Sequence, residues 1–199
     1  MTIRPGQSWG SAGVLAAGQP VAEDDRALAQ LIENGEVGPF GLLGGDLHRM
    51  LGEPGPERMW TDEAMSFPID VVEIVVDDRA PVVMAAHLVA GGRVLWRGRT
   101  VVMMNASSIG NLDLGPRAHP NDGLLDVTDG SLPLRDRRRA RRRMPAGTHL
   151  PHPMLTTVRA RRVEVVFGAP HPVRIDGVSV GNAQRILAEV LPDAATIVV

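Results

Sequence analysis

The stretch from Met103 to Val127 decides the fold of this chain, and it reads M-M-N-A-S-S-I-G-N-L-D-L-G-P-R-A-H-P-N-D-G-L-L-D-V. An apolar run typical of a buried strand enters it, a loop rich in Gly and Pro follows, and a second short apolar run leaves it. The pattern puts Asp122 and Gly123 at a sharp bend between packed elements. Asn-Asp-Gly is a common turn, in which Gly supplies a positive φ. The same bend can also present a carboxylate and backbone carbonyls to a hard cation such as Mg²⁺, so both interpretations stay open.

Outside this stretch the chain is dominated by short β-like runs. Residues 69–106 are apolar and β-branched, and they are interrupted at Asp77-Asp78 and Gly91-Gly92, which are typical of hairpin turns. Three antiparallel strands in sequence favour a sheet that packs on another sheet. We therefore expect an α+β, mostly β fold: an antiparallel β-sandwich with a small N-terminal α/β crossover. The predicted strands are 14–17, 37–43, 69–76, 81–90, 94–104, 124–127, 163–167, 173–175, 185–190 and 195–199.

The N-terminal quarter differs from the rest of the chain. A polar arm with a lone Trp9 precedes residues 23–35, where acids in the first turn and a Gly after the end predict an amphipathic helix. One helix between two short strands is a single crossover, which is too small to be a nucleotide-binding domain. We therefore divide the chain into residues 1–52, an arm and a remnant crossover, and residues 53–199, the β-sandwich.

Composition excludes several classes of function. All 21 basic residues are Arg, so no lysine can bind phosphate, form a Schiff base or act as a base. The formal net charge of −2 gives no global attraction for nucleic acid. With no Cys, no secretory signal and no apolar run long enough to cross a bilayer, the sequence predicts a cytoplasmic protein. Prolines beside His149, His152 and His171 favour loop histidines over a Zn²⁺ site.

Three segments resemble one family. The Asp-Gly-Leu-Leu-Asp-Val segment at residues 122–127, the Arg-Ile-Asp-Gly segment at 174–177 and the closing residues 189–199 are similar to the C-terminal domain of the diacylglycerol kinase and sphingosine kinase-like family, which includes the bacterial lipid kinases. The resemblance implies ATP-dependent phosphorylation of a lipid hydroxyl. It also implies a structural Mg²⁺ held by the Asp122 carboxylate and the backbone carbonyls of His119 and Leu124.

The chain departs from the family at the position of the catalytic base. The family's Asp-Gly-Glu segment places a carboxylate that takes the proton from the attacking hydroxyl. Here the segment reads Asp176-Gly177-Val178, and an isopropyl group can accept no proton. Loss of a general base costs roughly 10²- to 10⁴-fold in rate. Asp176 is then the remaining candidate base, and catalysis is not expected.

Two nucleotide-binding segments of the family are also altered. Where the family has a Gly-Gly-Asp-Gly-Thr phosphate loop, residues 17–21 read Ala-Gly-Gln-Pro-Val, so we expect the loop and most of the nucleotide-binding domain to be absent. A second segment, from Leu43 to Arg49, is similar to the family's Gly-Thr-Gly-Asn-Asp segment without its Thr and Asn. A capped helix start without a ligand is the alternative interpretation of this segment, and ATP binding is not expected. The candidate cofactor-binding residues are Gly44, Gly45, Asp46 and Arg49.

Residues 135–143 read R-D-R-R-R-A-R-R-R between two prolines, which predicts a short helix with basic residues all round it. One interpretation is a solvated helix paired with surface acids. A second is a patch for anionic lipid headgroups, and a third is a nucleic-acid contact, which the scarcity of aromatic residues disfavours. The residues of the headgroup patch would be Arg138, Arg139, Arg141 and Arg142.

Three functions stay open at this point. The first is a pseudokinase that binds a lipid or an apolar small molecule between its sheets, with peripheral contact to the inner face of the membrane. The second is a lipid kinase completed by a partner chain that carries the phosphate loop. The third is a structural or interaction protein that dimerises through an exposed sheet edge, and a homodimer is expected. Nucleic acid is not expected as a partner.

Overall fold

The computed structural model describes residues 8–92 and 97–199. In these residues the chain forms strands β1 to β13 and helices α1 to α3, with 3₁₀ turns at Pro56–Trp60 and Met144–Ala146. The strands are β1 Ser11–Ala12, β2 Val21–Ala22, β3 Phe40–Leu42, β4 Met65–Val76, β5 Val82–Met84, β6 His87–Gly91, β7 Thr100–Met104, β8 Ser108–Ile109, β9 Leu112–Asp113, β10 Leu125–Gly130, β11 Leu155–Ala160, β12 Arg162–Ile175 and β13 Val178–Val198. The helices are α1 Asp25–Glu33, α2 Gly45–Met50 and α3 Leu134–Arg143.

One large sheet carries the fold. Its main path runs β1-β4-β13-β12-β6-β7-β10-β11, while β5 pairs with β4 and β3 with β13. Every pair along this main path is antiparallel. The mostly β, antiparallel prediction is therefore confirmed.

Strand β7 shows why the chain enters its central loop through a continuous apolar run. Every residue of β7 is buried. Because side chains of a strand alternate between the two faces of its sheet, Val101 and Met103 join one hydrophobic cluster and Val102 and Met104 another. Helix α3 covers the second cluster through Ala140. Both faces of the sheet are covered here, so α3 is packed against the sheet rather than fully solvated.

The N-terminal crossover joins the same sheet. Phe40 of β3 pairs in parallel with Ile197 of β13, and β2 pairs with β3. The predicted helix is α1, whose start is capped by Asp24, which accepts the backbone N–H of Ala27 at 2.8 Å. The prediction of a strand at 14–17 is wrong. Leu15 of that segment packs in a small separate hydrophobic cluster, and β1 and β2 lie before and after the segment. The boundary between residues 52 and 53 stays a prediction.

Several predicted strands have different limits in the structure. Strand β12 includes both predicted strands 163–167 and 173–175. Strand β13 likewise joins the predicted strands 185–190 and 195–199. The interruptions that suggested separate strands are bulges, such as the register shift of β13 at Asp193, which has a φ of 52°. The predicted strand 94–104 lies partly outside the described residues. The predicted strand 81–90 divides into β5 and β6 at Ala85-Ala86, which contact the candidate site described next.

Candidate functional site

Asp176 and Gly177 form the two-residue turn between β12 and β13, with φ values of 45° and 79°. Positive φ at both positions defines a type I′ turn, for which Asp-Gly is a favoured pair. The Asp176 carboxylate accepts the backbone N–H groups of Ala85 at 2.8 Å and of Ala86 and His87 at 2.9 Å. Three bonds to a buried carboxylate fix its orientation. Asp176 therefore anchors this turn to the break between β5 and β6.

The start of α2 is closed by a carboxylate from α1. Asp25 accepts the backbone N–H of Asp46 at 2.5 Å and that of Leu47 at 3.2 Å. Gly45 permits this approach, because a Cβ at that position would lie 2.5 Å from the Asp25 carboxylate. Free N–H groups at a helix start attract anions, and here an internal carboxylate satisfies two of them. The cofactor-binding role of Gly44, Gly45, Asp46 and Arg49 stays a prediction.

Asp46 connects α2 to β6. One carboxylate oxygen lies 3.1 Å from Nδ1 of His87. The other accepts the backbone N–H of Gly110 at 2.8 Å and Nη1 of Arg49 at 2.7 Å. His87 is thus a buried histidine with an acidic partner. We call Asp25, Asp46, His87 and Asp176 the acidic cluster.

Burial of three carboxyl groups together perturbs their protonation. Burial raises the pKa of Asp25 to about 7, and the charge of Asp176 adds to the rise, while the N–H of Asp46 opposes it. Burial also raises the pKa of Asp176 against its three N–H bonds. Burial acts on Asp46 in the same direction, but the hydrogen bonds from His87 and Gly110, together with the charges of His87 and Arg49, outweigh it and leave the pKa of Asp46 below its ordinary value. The pKa of Asp25 therefore lies near neutral pH.

The predicted metal ligands lie in one loop, and both the Asp122 carboxylate and the His119 carbonyl already accept protein hydrogen bonds. Asp122 Oδ1 accepts the backbone N–H of Leu124 at 2.9 Å, and Oδ2 accepts a guanidinium N–H of Arg159. The carbonyl of His119 accepts the N–H of Asp122 at 3.3 Å. Among the described residues, no three His, Cys, Asp or Glu side chains are grouped to hold a metal ion. An arginine therefore bonds to the carboxylate that the resemblance assigns to the ion, and the Mg²⁺ site stays a prediction.

Asp70 of β4 ties this loop to the sheet. Its carboxylate accepts the N–H of Gly123 at 2.7 Å and that of Asp193 at 2.9 Å. Its own N–H donates to the carbonyl of Pro120. Burial raises the pKa of Asp70 against these two bonds to its carboxylate. The Asp-Gly turn is therefore held by a buried acid from a distant strand.

A pocket of about 120 Å³ lies between α3 and the sheet. Its walls are apolar and come from β7, β9, β10, β11 and α3. Ala140 is the small residue that α3 turns toward it. Apolar side chains that line it are Val102, Leu112, Leu114, Leu132, Met144 and Leu155.

Two polar side chains line this pocket, and one atom of each has no hydrogen-bond partner in the part of the chain that the structure describes. Thr100 is 8% exposed and His149 is 5% exposed, and neither Thr100 Oγ1 nor His149 Nδ1 has a hydrogen-bond partner in the described residues. Burial lowers the pKa of His149, which favours the neutral imidazole at neutral pH. An unpaired buried polar atom costs stability unless a ligand or water bonds to it. The pair therefore provides polar contacts inside an otherwise apolar pocket.

Arginines of α3 border the same pocket. Arg137, Arg138 and Arg141 line it, and we call these three the arginine rim. Within residues 8–92 and 97–199, no helix combines the length and the apolar character that a bilayer span requires. Contact of Arg138, Arg139, Arg141 and Arg142 with an anionic surface stays a prediction.

Sequence reasoning missed the residues whose partners are distant in the chain. Asp25 was interpreted as a helix-start acid, although its carboxylate reaches a helix 21 residues later. Asp70 and Arg159 lie within strands, and no local pattern marks them. The prediction that His149 lies in a loop is confirmed, but its position under α3 depends on how the helix folds back on the sheet.

A mostly antiparallel sheet with an Asp-Gly-Leu-Leu-Asp-Val loop and an Ile-Asp-Gly turn defines a lipid-kinase-like β-sandwich. Residues 58–199 match the family described as the YegS C-terminal NAD kinase beta sandwich-like domain, and the chain belongs to this family. The resemblance inferred from the sequence is thereby confirmed. Among curated proteins, no match is found.

Solved structures share the fold. A protein assigned as a diacylglycerol kinase from Bacillus anthracis str. Sterne superposes with a TM-score of 0.66 at 14% sequence identity, over 89% of this chain and 76% of that chain. Another diacylglycerol kinase structure from the same organism gives a TM-score of 0.57 at 15% identity, over 81% of this chain and 66% of that chain. At these identities the likeness is one of fold.

Proposed function

We propose that this chain is a non-catalytic member of the diacylglycerol kinase-like family that binds an amphiphile beneath α3. The observation that carries the proposal is the mostly apolar pocket with the arginine rim at its edge and two buried polar atoms, Thr100 Oγ1 and His149 Nδ1, that have no hydrogen-bond partner among the described residues. An amphiphile with an apolar chain, a hydroxyl or carbonyl group and an anionic head matches these three features in turn.

The size of the pocket limits what enters it. An engineered cavity of roughly 150 Å³ holds one benzene molecule, so a pocket of about 120 Å³ accepts a group of similar size. A short acyl chain, or one end of a longer chain, has this size. The polar atoms of Thr100 and His149 would bond to a hydroxyl or carbonyl group, and the arginine rim would pair with a carboxylate or phosphate.

Three features in and beside the acidic cluster support loss of catalysis. Val178 is 48% exposed where the family's base stands, and it cannot accept a proton. Asp176 is held by three N–H donors, so it cannot turn toward a substrate without breaking them. Asp25 satisfies the helix start that resembles the nucleotide segment. A kinase completed by a partner chain is the competing function, and micromolar ATP binding by this chain would favour it.

Calorimetric titration with decanoate, decanol and decyltrimethylammonium tests the proposal, because the three probes share one chain and differ in head charge. Decanoate should bind most tightly and the cation least. Ala140→Leu should abolish binding by filling the pocket, whereas Arg135→Gln, outside the arginine rim on the same helix, should leave it almost unchanged. Equal affinity for all three heads, or binding unaffected by Ala140→Leu, would contradict the proposal.

Thr100→Val separates binding from folding. Loss of one neutral hydrogen bond costs about 1 kcal/mol, so a probe that bonds to this hydroxyl, such as a hydroxylated decanoate, should bind about fivefold more weakly. The fold itself should become no less stable, because Thr100 Oγ1 has no partner in the described residues. A thermal melt of the free protein checks the second expectation.

A further inference from the structure

One arginine holds three points of the central loop. Arg159 of β11 lies directly opposite Asp126 of β10 in the antiparallel pair. Its Nε donates to Asp126 Oδ2 at 3.0 Å, and its Nη2 donates to Asp122 Oδ2 and to the carbonyl of Arg117 at 3.3 Å. A single guanidinium therefore bridges two carboxylates and a carbonyl.

These acceptors are the kind that a hard cation takes. Two carboxylates and a backbone carbonyl are oxygen ligands suited to Mg²⁺ or Ca²⁺. The carboxylate side chains are little exposed, at 17% for Asp122 and 12% for Asp126, and Arg159 is 29% exposed. The negative charge of Asp122 also acts on the buried carboxyl group of Asp70. The charges of Asp122 and Asp126 act on one another, and a cation between them offsets a repulsion that partial burial strengthens. The more exposed Arg117, whose Nη2 lies 3.7 Å from Asp126 Oδ1, adds a second positive charge beside Asp126 alone.

We propose that Arg159 supplies the cation of this loop in place of the divalent ion that the family resemblance assigns to Asp122. The loop then closes without metal. A planar guanidinium suits the task because it can donate in several directions at once from a strand that is already paired with Asp126. This inference is independent of the proposed ligand pocket, which lies under α3.

Thermal unfolding of the full chain, with Mg²⁺ or with a chelator, tests the inference. The melting temperature of the wild type should be the same in both. Arg159→Gln should melt several degrees lower, and Mg²⁺ should restore part of that loss by reaching the freed carboxylates. Arg162→Gln is the matched control, because Arg162 lies three residues after Arg159 and forms an exposed ion pair with Glu189. Losing that pair should change the melting temperature little.

The outcome decides the question in either direction. A wild type that gains stability with Mg²⁺ or loses it with the chelator would show that the loop uses a metal, and the inference would fail. It would fail equally if Arg159→Gln melted like the wild type or gained nothing from Mg²⁺. Should Arg159→Gln not fold, Arg159→Lys keeps the charge but cannot bridge both carboxylates, and its melting temperature should be lowered and should rise with Mg²⁺. A lysine variant indistinguishable from the wild type would also overturn the inference.

Discussion

Replacing Asp25 by Asn should remove the part of the pH dependence of folding stability that comes from the Asp25 carboxyl group. The pKa of this carboxyl group is about 7 in the folded chain against an ordinary value of 3.8. Because the folded state holds the proton more tightly, the contribution is complete below pH 3.8 and is lost as the pH rises through about 7. At about 1.4 kcal/mol per pKa unit, the loss between about pH 5 and about pH 7 is about 2 kcal/mol.

Urea denaturation of the wild type and of Asp25→Asn at these two pH values measures this difference. Asn keeps the shape and one acceptor oxygen for the start of α2, but it does not titrate. The wild type should lose about 2 kcal/mol more than the variant between the two conditions. Asp24→Asn is the control, since Asn is an equally good N-cap at an exposed neighbouring position. The same pH dependence in the wild type and in Asp25→Asn would refute the reasoning.

Two further predictions concern activity and membranes. The chain should phosphorylate neither diacylglycerol nor sphingosine above background with Mg²⁺ and ATP. Val178→Glu should not restore activity, because Asp25 closes the helix start near the expected nucleotide. Activity that is abolished by Asp176→Asn would instead identify Asp176 as a base. The chain should cosediment with anionic vesicles, since each arginine near such a surface contributes about 1 kcal/mol to the binding free energy. Binding should weaken as salt screens this attraction. The same assay with Arg138, Arg139, Arg141 and Arg142 changed to Gln should show no binding, and equal binding by both proteins would show that these four arginines do not hold the chain on the vesicle.

The fold could be predicted because its signals are local. The apolar run of β7 is explained by a strand buried on both faces, and the Asp-Gly turn at residues 176 and 177 is recognisable from two letters. Strand limits were harder, because a bulge such as that at Asp193 looks like a break when the sequence is read alone. The single large sheet depends on pairing between strands that are distant in the chain, such as β4 with β13 and β6 with β12, which periodicity does not report.

The candidate site could be predicted only in part. The loop of Asp122 and the turn of Asp176 were located from their motifs, but their side-chain partners were not. Arg159 contacts Asp122 across 37 residues, and the carboxylate of Asp176 reaches Ala85 across 91 residues. Such contacts arise from tertiary packing, so a motif can locate a side chain without indicating whether it binds a ligand or the protein's own backbone.

Binding of decanoate beneath α3 is the central claim, and methyl NMR of methionine-labelled protein tests it most directly. The chain has nine methionines, of which Met144 lines the pocket and Met59 lies in a separate cluster. Decanoate should shift the methyl signal of Met144 and leave that of Met59 in place, and Ala140→Leu should abolish the shift. A Met144 signal that does not respond while decanoate binds elsewhere, or a response that survives Ala140→Leu, would contradict the account.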